Sequence, residues 1–62
     1  MRYRVLLKMD GRWRDMARGF YGFDGATRWA QEVMAMYNGD EVSGYRVEEM
    51  GGRVVCSVER SA

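Results

Sequence analysis

Histidine and proline are absent from this 62-residue chain, and cysteine occurs once, at Cys56. Without histidine there is no imidazole to act as a general acid or base, or to activate a serine or cysteine nucleophile. A single cysteine cannot form an internal disulfide, and with neither histidine nor a cysteine cluster a structural zinc site is excluded. These absences predict a protein that is not an enzyme and that holds no metal and no cofactor.

Long apolar runs are also lacking. Val5-Leu6-Leu7 is too short for the apolar region of a signal peptide, and no stretch approaches the ~20 apolar residues that a membrane helix needs. We therefore expect a cytoplasmic protein with no membrane partner. The length predicts a single domain, 1–62, whose small core needs good packing or self-association to be stable.

Charge is distributed unevenly along the chain. Residues 1–23 contain six basic and two acidic side chains, a net +4, whereas residues 24–62 contain four basic and seven acidic ones, a net −3. Such an asymmetry between halves indicates a binding role, because opposite charges favour oriented docking on a complementary surface.

Residues 2–21 are predicted to form a first β-hairpin, because β-forming residues flank Asp10-Gly11, a strong turn signal. A three-residue loop with Gly11 in the left-handed region places Leu7 opposite Trp13. A two-residue loop instead pairs Leu7 with Arg14 and Val5 with Met16. We favour the three-residue loop because it collects apolar side chains on one face, namely Tyr3, Val5, Leu7, Trp13 and Ala17.

The helix is predicted at 24–38. Asp24 is a suitable N-cap, because its carboxylate can accept hydrogen bonds from the amides of the first turn. Apolar residues recur at the three- and four-residue spacing of one helical face: Ala26, Trp29, Ala30, Val33 and Tyr37. Asn38-Gly39 is a suitable helix terminator.

A second hairpin is predicted at 41–60, with Gly51-Gly52 as a two-residue turn. This turn pairs Glu49 with Val54, Val47 with Cys56 and Tyr45 with Val58. One face then carries Tyr45, Val47, Val54, Cys56 and Val58, and the alternation is typical of a sheet with one covered face.

These elements predict an α+β fold, ββαββ, in which two β-hairpins form a four-stranded sheet and one helix packs on one face. The first and fourth strands are expected at the centre, because Val5-Leu6-Leu7 and Val54-Val55-Cys56 are apolar on both faces. A single helix leaves the other face, here called the open face, uncovered.

The open face is expected to carry Leu6, Met16 and Val55 among several arginines. Scattered apolar residues on a surface are common, but apolar residues ringed by charge are also typical of a contact surface. Together with the basic first hairpin, they give the predicted partner-binding residues: Arg4, Leu6, Arg12, Arg14, Met16, Arg18 and Val55.

The first hairpin also makes DNA or RNA an alternative partner, because its basic residues alternate with aromatic ones, and these can bind phosphates and stack on bases. Arg18-Gly19-Phe20 resembles the opening of the RNA-recognition-motif signature. The match then fails, because Gly22 stands where the signature has its next aromatic residue. The sequence pI of about 7.9 is also below the basic range of nucleic-acid modules.

In size and layout, the chain is similar to small accessory proteins of phages and mobile elements, including anti-CRISPR inhibitors. The resemblance covers the whole layout and carries over no functional residue. It implies an inhibitor that blocks a larger complex by occupying its surface. We therefore predict a non-enzymatic protein-binding module whose partner is another protein or a second copy of itself in a homodimer.

Overall fold

The structure is a computed structural model that describes residues 2–37 and 41–60. Its elements are β1 (Tyr3–Met9), β2 (Arg12–Phe20), α1 (Phe23–Met36), β3 (Gly44–Glu49) and β4 (Val54–Glu59). The strands form one antiparallel sheet, and α1 packs on one of its faces. The predicted ββαββ fold is confirmed.

The strand order is β2-β1-β3-β4, which places β1 and β3 at the centre. The prediction that β4 is central is therefore wrong. The two hairpins join through β1 and β3, where Val5 lies opposite Val47 and Leu7 opposite Tyr45. All four of these side chains are buried beneath α1, so the best-covered strands are the ones that pair in the middle.

The first hairpin has a two-residue turn, so the preferred three-residue loop is wrong. Asp10 and Gly11 both have positive φ, 52° and 76°, as this tight turn requires. Leu7 therefore pairs with Arg14, as in the alternative register. A β-bulge then shifts the pairing, so that Val5 lies opposite Ala17 and Met16 is the extra residue.

The helix begins one residue earlier than predicted. Gly22 is the N-cap and no side chain caps this end, so Asp24 lies in the first turn, where its charge still suits the positive helix end. The ring of Phe23, the first helical residue, packs edge-on against Tyr3 of β1 at 6.2 Å between centroids, which holds the start of the helix against the sheet. At the other end, the Tyr37 amide donates to the Val33 carbonyl at 3.0 Å.

The predicted terminator Asn38-Gly39 lies outside the described residues. At 14 residues α1 is too short to cross a bilayer, and the rest of the described chain contains no other helix.

The core lies between α1 and the two central strands. Ala26 and Ala30 are fully buried, whereas Trp29 and Val33 are partly buried and Tyr37 is exposed. The sequence pattern therefore locates the inner face of the helix but not its depth of burial. The buried apolar residues are Val5, Leu7, Ala26, Ala30, Val42, Tyr45 and Val47, of which Val42 was not predicted.

The second hairpin keeps its predicted register away from the tip, where Val47 pairs with Cys56 and Tyr45 with Val58. At the tip, the Gly52 amide donates to the Glu49 carbonyl and the Glu49 amide donates to the Arg53 carbonyl, both at 2.8 Å. The loop therefore has three residues, 50–52, with Gly52 at a φ of 99°, and the predicted two-residue turn at Gly51-Gly52 is wrong. The predicted pairing of Glu49 with Val54 is wrong, since a bulge places Val54 opposite Glu48.

Candidate partner-binding surfaces

The predicted partner-binding residues do not form one surface. Arg4, Leu6 and Arg18 lie on the open face with Val55, whereas the other three lie on the helix side of the sheet. Arg12 and Arg14 pair with Met9 and Leu7, and those two side chains, like Met16, line a groove beside α1. The expectation that Met16 lies on the open face is wrong, because the two-residue turn reverses the faces of Arg12, Arg14 and Met16, whereas the bulge after Asp15 returns Arg18 to the open face.

A partly buried ion pair lies on the two central strands of the open face. Glu48 is only 7% exposed, and its Oε1 accepts hydrogen bonds from Arg4 Nη2 at 2.6 Å and from Arg4 Nε at 3.0 Å. The hydrogen bond to Glu48 raises the pKa of the Arg4 guanidinium above its usual value. The two residues lie opposite each other on β1 and β3, so the pair joins the two hairpins.

Further ion pairs extend across the same face. Asp15 Oδ2 lies 2.8 Å from Arg18 Nε and 3.5 Å from Arg4 Nη1, and Lys8 Nζ lies 3.2 Å from Glu59 Oε1. Much of the open-face charge is thus balanced within the molecule. A charged partner would have to compete with these internal pairs.

Trp13 lies on the open face rather than in the core, because the two-residue turn pairs it with Lys8. The Arg46 guanidinium lies over the indole at 4.2 Å from the ring centroid, and Lys8 Nζ lies at 5.8 Å. Such cation–π contacts hold both basic groups on the ring. The indole therefore has one face covered by the protein's own arginine.

The helix side carries an apolar groove of about 370 Å³, within the size range of ligand-binding clefts. It lies between α1, the β1–β2 hairpin and the chain that leads into β3. We call it the methionine groove, and its lining residues are Leu7, Met9, Met16, Trp29, Val33, Met36, Tyr37, Glu41 and Val42.

The outer part of the methionine groove is exposed. Met36 is 73% exposed, Met16 48% and Tyr37 45%. Methionine has a flexible, polarisable side chain that adapts to different partners, and exposed methionines are typical of versatile binding surfaces. The abundance of methionine in the sequence is the signal for this groove, but its position depends on the bulge at Met16.

The rim of the groove has opposite charges on its two sides. Arg12 and Arg14 are exposed on the hairpin side, and neither forms an ion pair with an acid in the described parts of the chain. Glu41 lies on the other side, just after the helix. The groove is thus an apolar cleft with a cationic and an anionic border.

Comparisons of the chain with protein-family models, with curated proteins and with solved structures give no significant match. The two surfaces of the chain, the open face and the methionine groove, are therefore what indicates its function.

Proposed function

We propose that the protein is a non-enzymatic binding module that takes an apolar, acidic segment of a partner protein into the methionine groove. The observation that supports this function best is the position of exposed Met16 and Met36 beside Arg12 and Arg14. Apolar anchors surrounded by charge are the usual composition of a specific protein contact.

The groove is favoured over the open face by the cost of removing water from each surface. Burying exposed methionine and tyrosine side chains is favourable by roughly 25 cal/mol per Å² of apolar area. On the open face, by contrast, a partner would cover charges such as Arg4 and Asp15 that already have partners. Covering such pairs costs desolvation and brings little new electrostatic attraction.

The charges at the rim also give the bound segment a direction. Acidic residues of the partner would lie beside Arg12 and Arg14, its apolar side chains would fill the groove, and a basic residue would lie near Glu41. This complementarity selects partners by charge as well as by shape. An inhibitory role in the cytoplasm, by occupying a surface of a larger complex, stays a prediction.

Selection from a random peptide library tests the proposal. With wild-type protein as bait, we expect enrichment of peptides that combine large apolar residues with Asp or Glu. Met16→Asp should abolish binding of the enriched peptides, because it places a charge in the apolar cleft. Arg12→Glu with Arg14→Glu should weaken binding by about tenfold or more, as close like charges would repel.

Matched controls are available on the rest of the surface. Arg28→Glu reverses an exposed charge on the outer side of α1 and should leave binding unchanged. Val55→Asp places a charge on the open face and should also leave it unchanged. Peptides that still bind the Met16→Asp variant but not the Val55→Asp variant would assign the site to the open face instead. Failure to enrich any peptide would contradict the proposal.

A further inference from the structure

The outer edge of β4 presents backbone groups that can form a new strand pair. The Arg60 amide donates to the Ser43 carbonyl at 2.7 Å, and Val47 lies opposite Cys56. The alternation of an antiparallel ladder therefore directs the backbone groups of Cys56 towards β3 and those of Ser57 and Glu59 away from it. No strand pairs with this edge in the described part of the chain.

The side chains of β4 are unusual for an edge strand. Val54, Val55 and Val58 are between 40% and 46% exposed. A strand that is apolar on both faces is typical of the centre of a sheet, yet β4 lies at its border. The helix lies over β1, β3 and β2, and within 2–37 and 41–60 its backbone does not come close to β4.

The opposite edge is protected. β2 carries exposed Arg12, Arg14 and Arg18, and two irregularities interrupt its pairing with β1. Charged side chains and bulges are the usual devices that prevent an edge from recruiting another strand. β4 also has a bulge, at residues 54–55, but its part from Cys56 to Glu59 is regular, so β4 is the edge better suited to accept a partner strand.

We infer that the protein forms a homodimer in which β4 pairs antiparallel with β4 of a second copy, giving a continuous eight-stranded sheet. This interface is separate from the methionine groove and does not depend on the proposed function. A two-fold axis uses both β4 edges and leaves the protected β2 edges outside, so the assembly closes at two copies. In the dimer β4 becomes a central strand, which is what its apolar sequence indicates.

Backbone geometry restricts the register of this pair. A residue whose backbone groups point away from β3 must lie opposite a residue of the second copy whose backbone groups do the same. The two-fold axis therefore passes through either Cys56 or Ser57.

The bulge at residues 54–55 leaves 56–59 as the regular part of β4, and the Arg53 carbonyl accepts from the Glu49 amide and so faces β3. An axis at Ser57 places Cys56 opposite Val58 of the second copy, and both side chains lie on the helix side. An axis at Cys56 instead places Ser57 opposite Val55, beside the bulge. We choose the Ser57 axis because it matches apolar side chains within the regular part of the strand.

Sedimentation velocity over a wide range of concentrations tests the dimer. We expect the mass to rise from 7.2 kDa to twice that value as the concentration increases. Ser57→Pro removes an outward-facing amide that has no partner within the sheet, so it should leave the monomer folded and prevent dimerisation. Ser57→Ala keeps the amide and should dimerise like wild type. Val58→Lys gives a second variant that blocks the edge, in case proline disturbs the fold.

Crosslinking through Cys56 tests the interface. Cys56 is the only cysteine, so a short bis-maleimide can join two chains only through this position. Wild-type protein should give a crosslinked dimer, and Ser57→Pro should remove it while circular dichroism shows a folded chain. A mass of 7.2 kDa at every concentration would overturn the inference. So would assemblies larger than two copies, or a dimer that persists in both the Ser57→Pro and the Val58→Lys variants.

Discussion

Gly44 is buried at the start of β3, opposite Glu59 of β4. A Cβ atom at this position would lie 2.6 Å from the Val58 carbonyl oxygen and 3.1 Å from Cγ of Glu59. Gly44 also lies between Lys8 and Glu59 in the register of the sheet. Its missing side chain thus lets β3 and β4 approach each other and lets Lys8 reach Glu59 across it.

Replacing Gly44 with alanine should therefore destabilise the protein. The new methyl group would contact backbone, which cannot turn aside as a flexible side chain can. We expect Gly44→Ala to lower the free energy of unfolding by about 1–3 kcal/mol, the usual cost of overpacking. Chemical denaturation with circular dichroism as the readout measures this change.

Gly25 is the matched control for this substitution. It lies exposed in the first turn of α1, and a Cβ atom there would meet only the Phe20 ring at 4.0 Å. Because alanine has the higher helix propensity, Gly25→Ala should raise the stability by about 0.5 kcal/mol. Equal effects of the two substitutions would show that the β4 backbone leaves room for a methyl group at Gly44.

At the scale of single elements, the helix could be predicted well from the sequence. Its apolar residues recur with a period that only a helix produces, and Ala26 and Ala30 lie at the core as expected. Its first residue could not be predicted, because Phe23 packs against Tyr3 of β1, which is distant in the sequence. Such a tertiary contact leaves no mark in the local sequence.

For the hairpins, the sequence predicts where the turns lie but not which residues pair. The turn signals at Asp10-Gly11 and Gly51-Gly52 are clear, yet the preferred register of the first hairpin is wrong. The length of the turn is the first physical reason, because two residues in place of three shift every pairing by one. The bulge at Met16 then shifts the pairings beyond it again. A period-two pattern interrupted in this way cannot be assigned to faces from the sequence alone.

The packing of α1 on the sheet depends on small side chains. Ala26 and Ala30 are fully buried against the central strands, so the helix lies close to them. Ala30→Leu would force three more carbon atoms into this contact and should cost about 1–3 kcal/mol, or more if the helix is displaced. Thermal or chemical unfolding measures this loss.

Ala35 provides the control for Ala30, because it is exposed on the outer side of the same helix. Leucine and alanine both favour helices, so Ala35→Leu should change the stability by less than about 0.5 kcal/mol. If both leucine variants unfold like wild type, the close contact between helix and sheet is absent.

For the molecule as a whole, the sequence predicts the amount of charge in the first hairpin but not its distribution over the surface. Alternation along β2 directs Arg12 and Arg14 to the helix side, whereas Arg18 lies on the open face beside Asp15. A binding site depends on which side chains share a face. The methionine groove could therefore not be located before the strand register was known.

The positions of the aromatic residues decide whether nucleic acid is a suitable partner. The aromatic residues of the first hairpin do not form a row on which bases could stack. Trp13 lies under Arg46, Phe20 packs against Trp29 at 6.0 Å, and Tyr3 packs against Phe23. Tyr21 is the one highly exposed ring of this hairpin, and Arg2 lies over it at 5.4 Å from the centroid. Single-strand binding proteins instead present exposed aromatic rings along a basic groove.

We therefore expect single-stranded DNA or RNA to bind weakly and through charge alone. The fluorescence anisotropy of a labelled oligonucleotide should rise only at low salt, and the affinity at physiological salt should be no tighter than about 10⁻⁴ M. Arg12→Glu with Arg14→Glu should remove the low-salt signal, because these two arginines have no acidic partner among the described residues. Saturable binding that persists at physiological salt would contradict this expectation. Loss of that binding on replacing Trp13 would then identify the open face as a nucleic-acid surface, since Trp13 lies on that face.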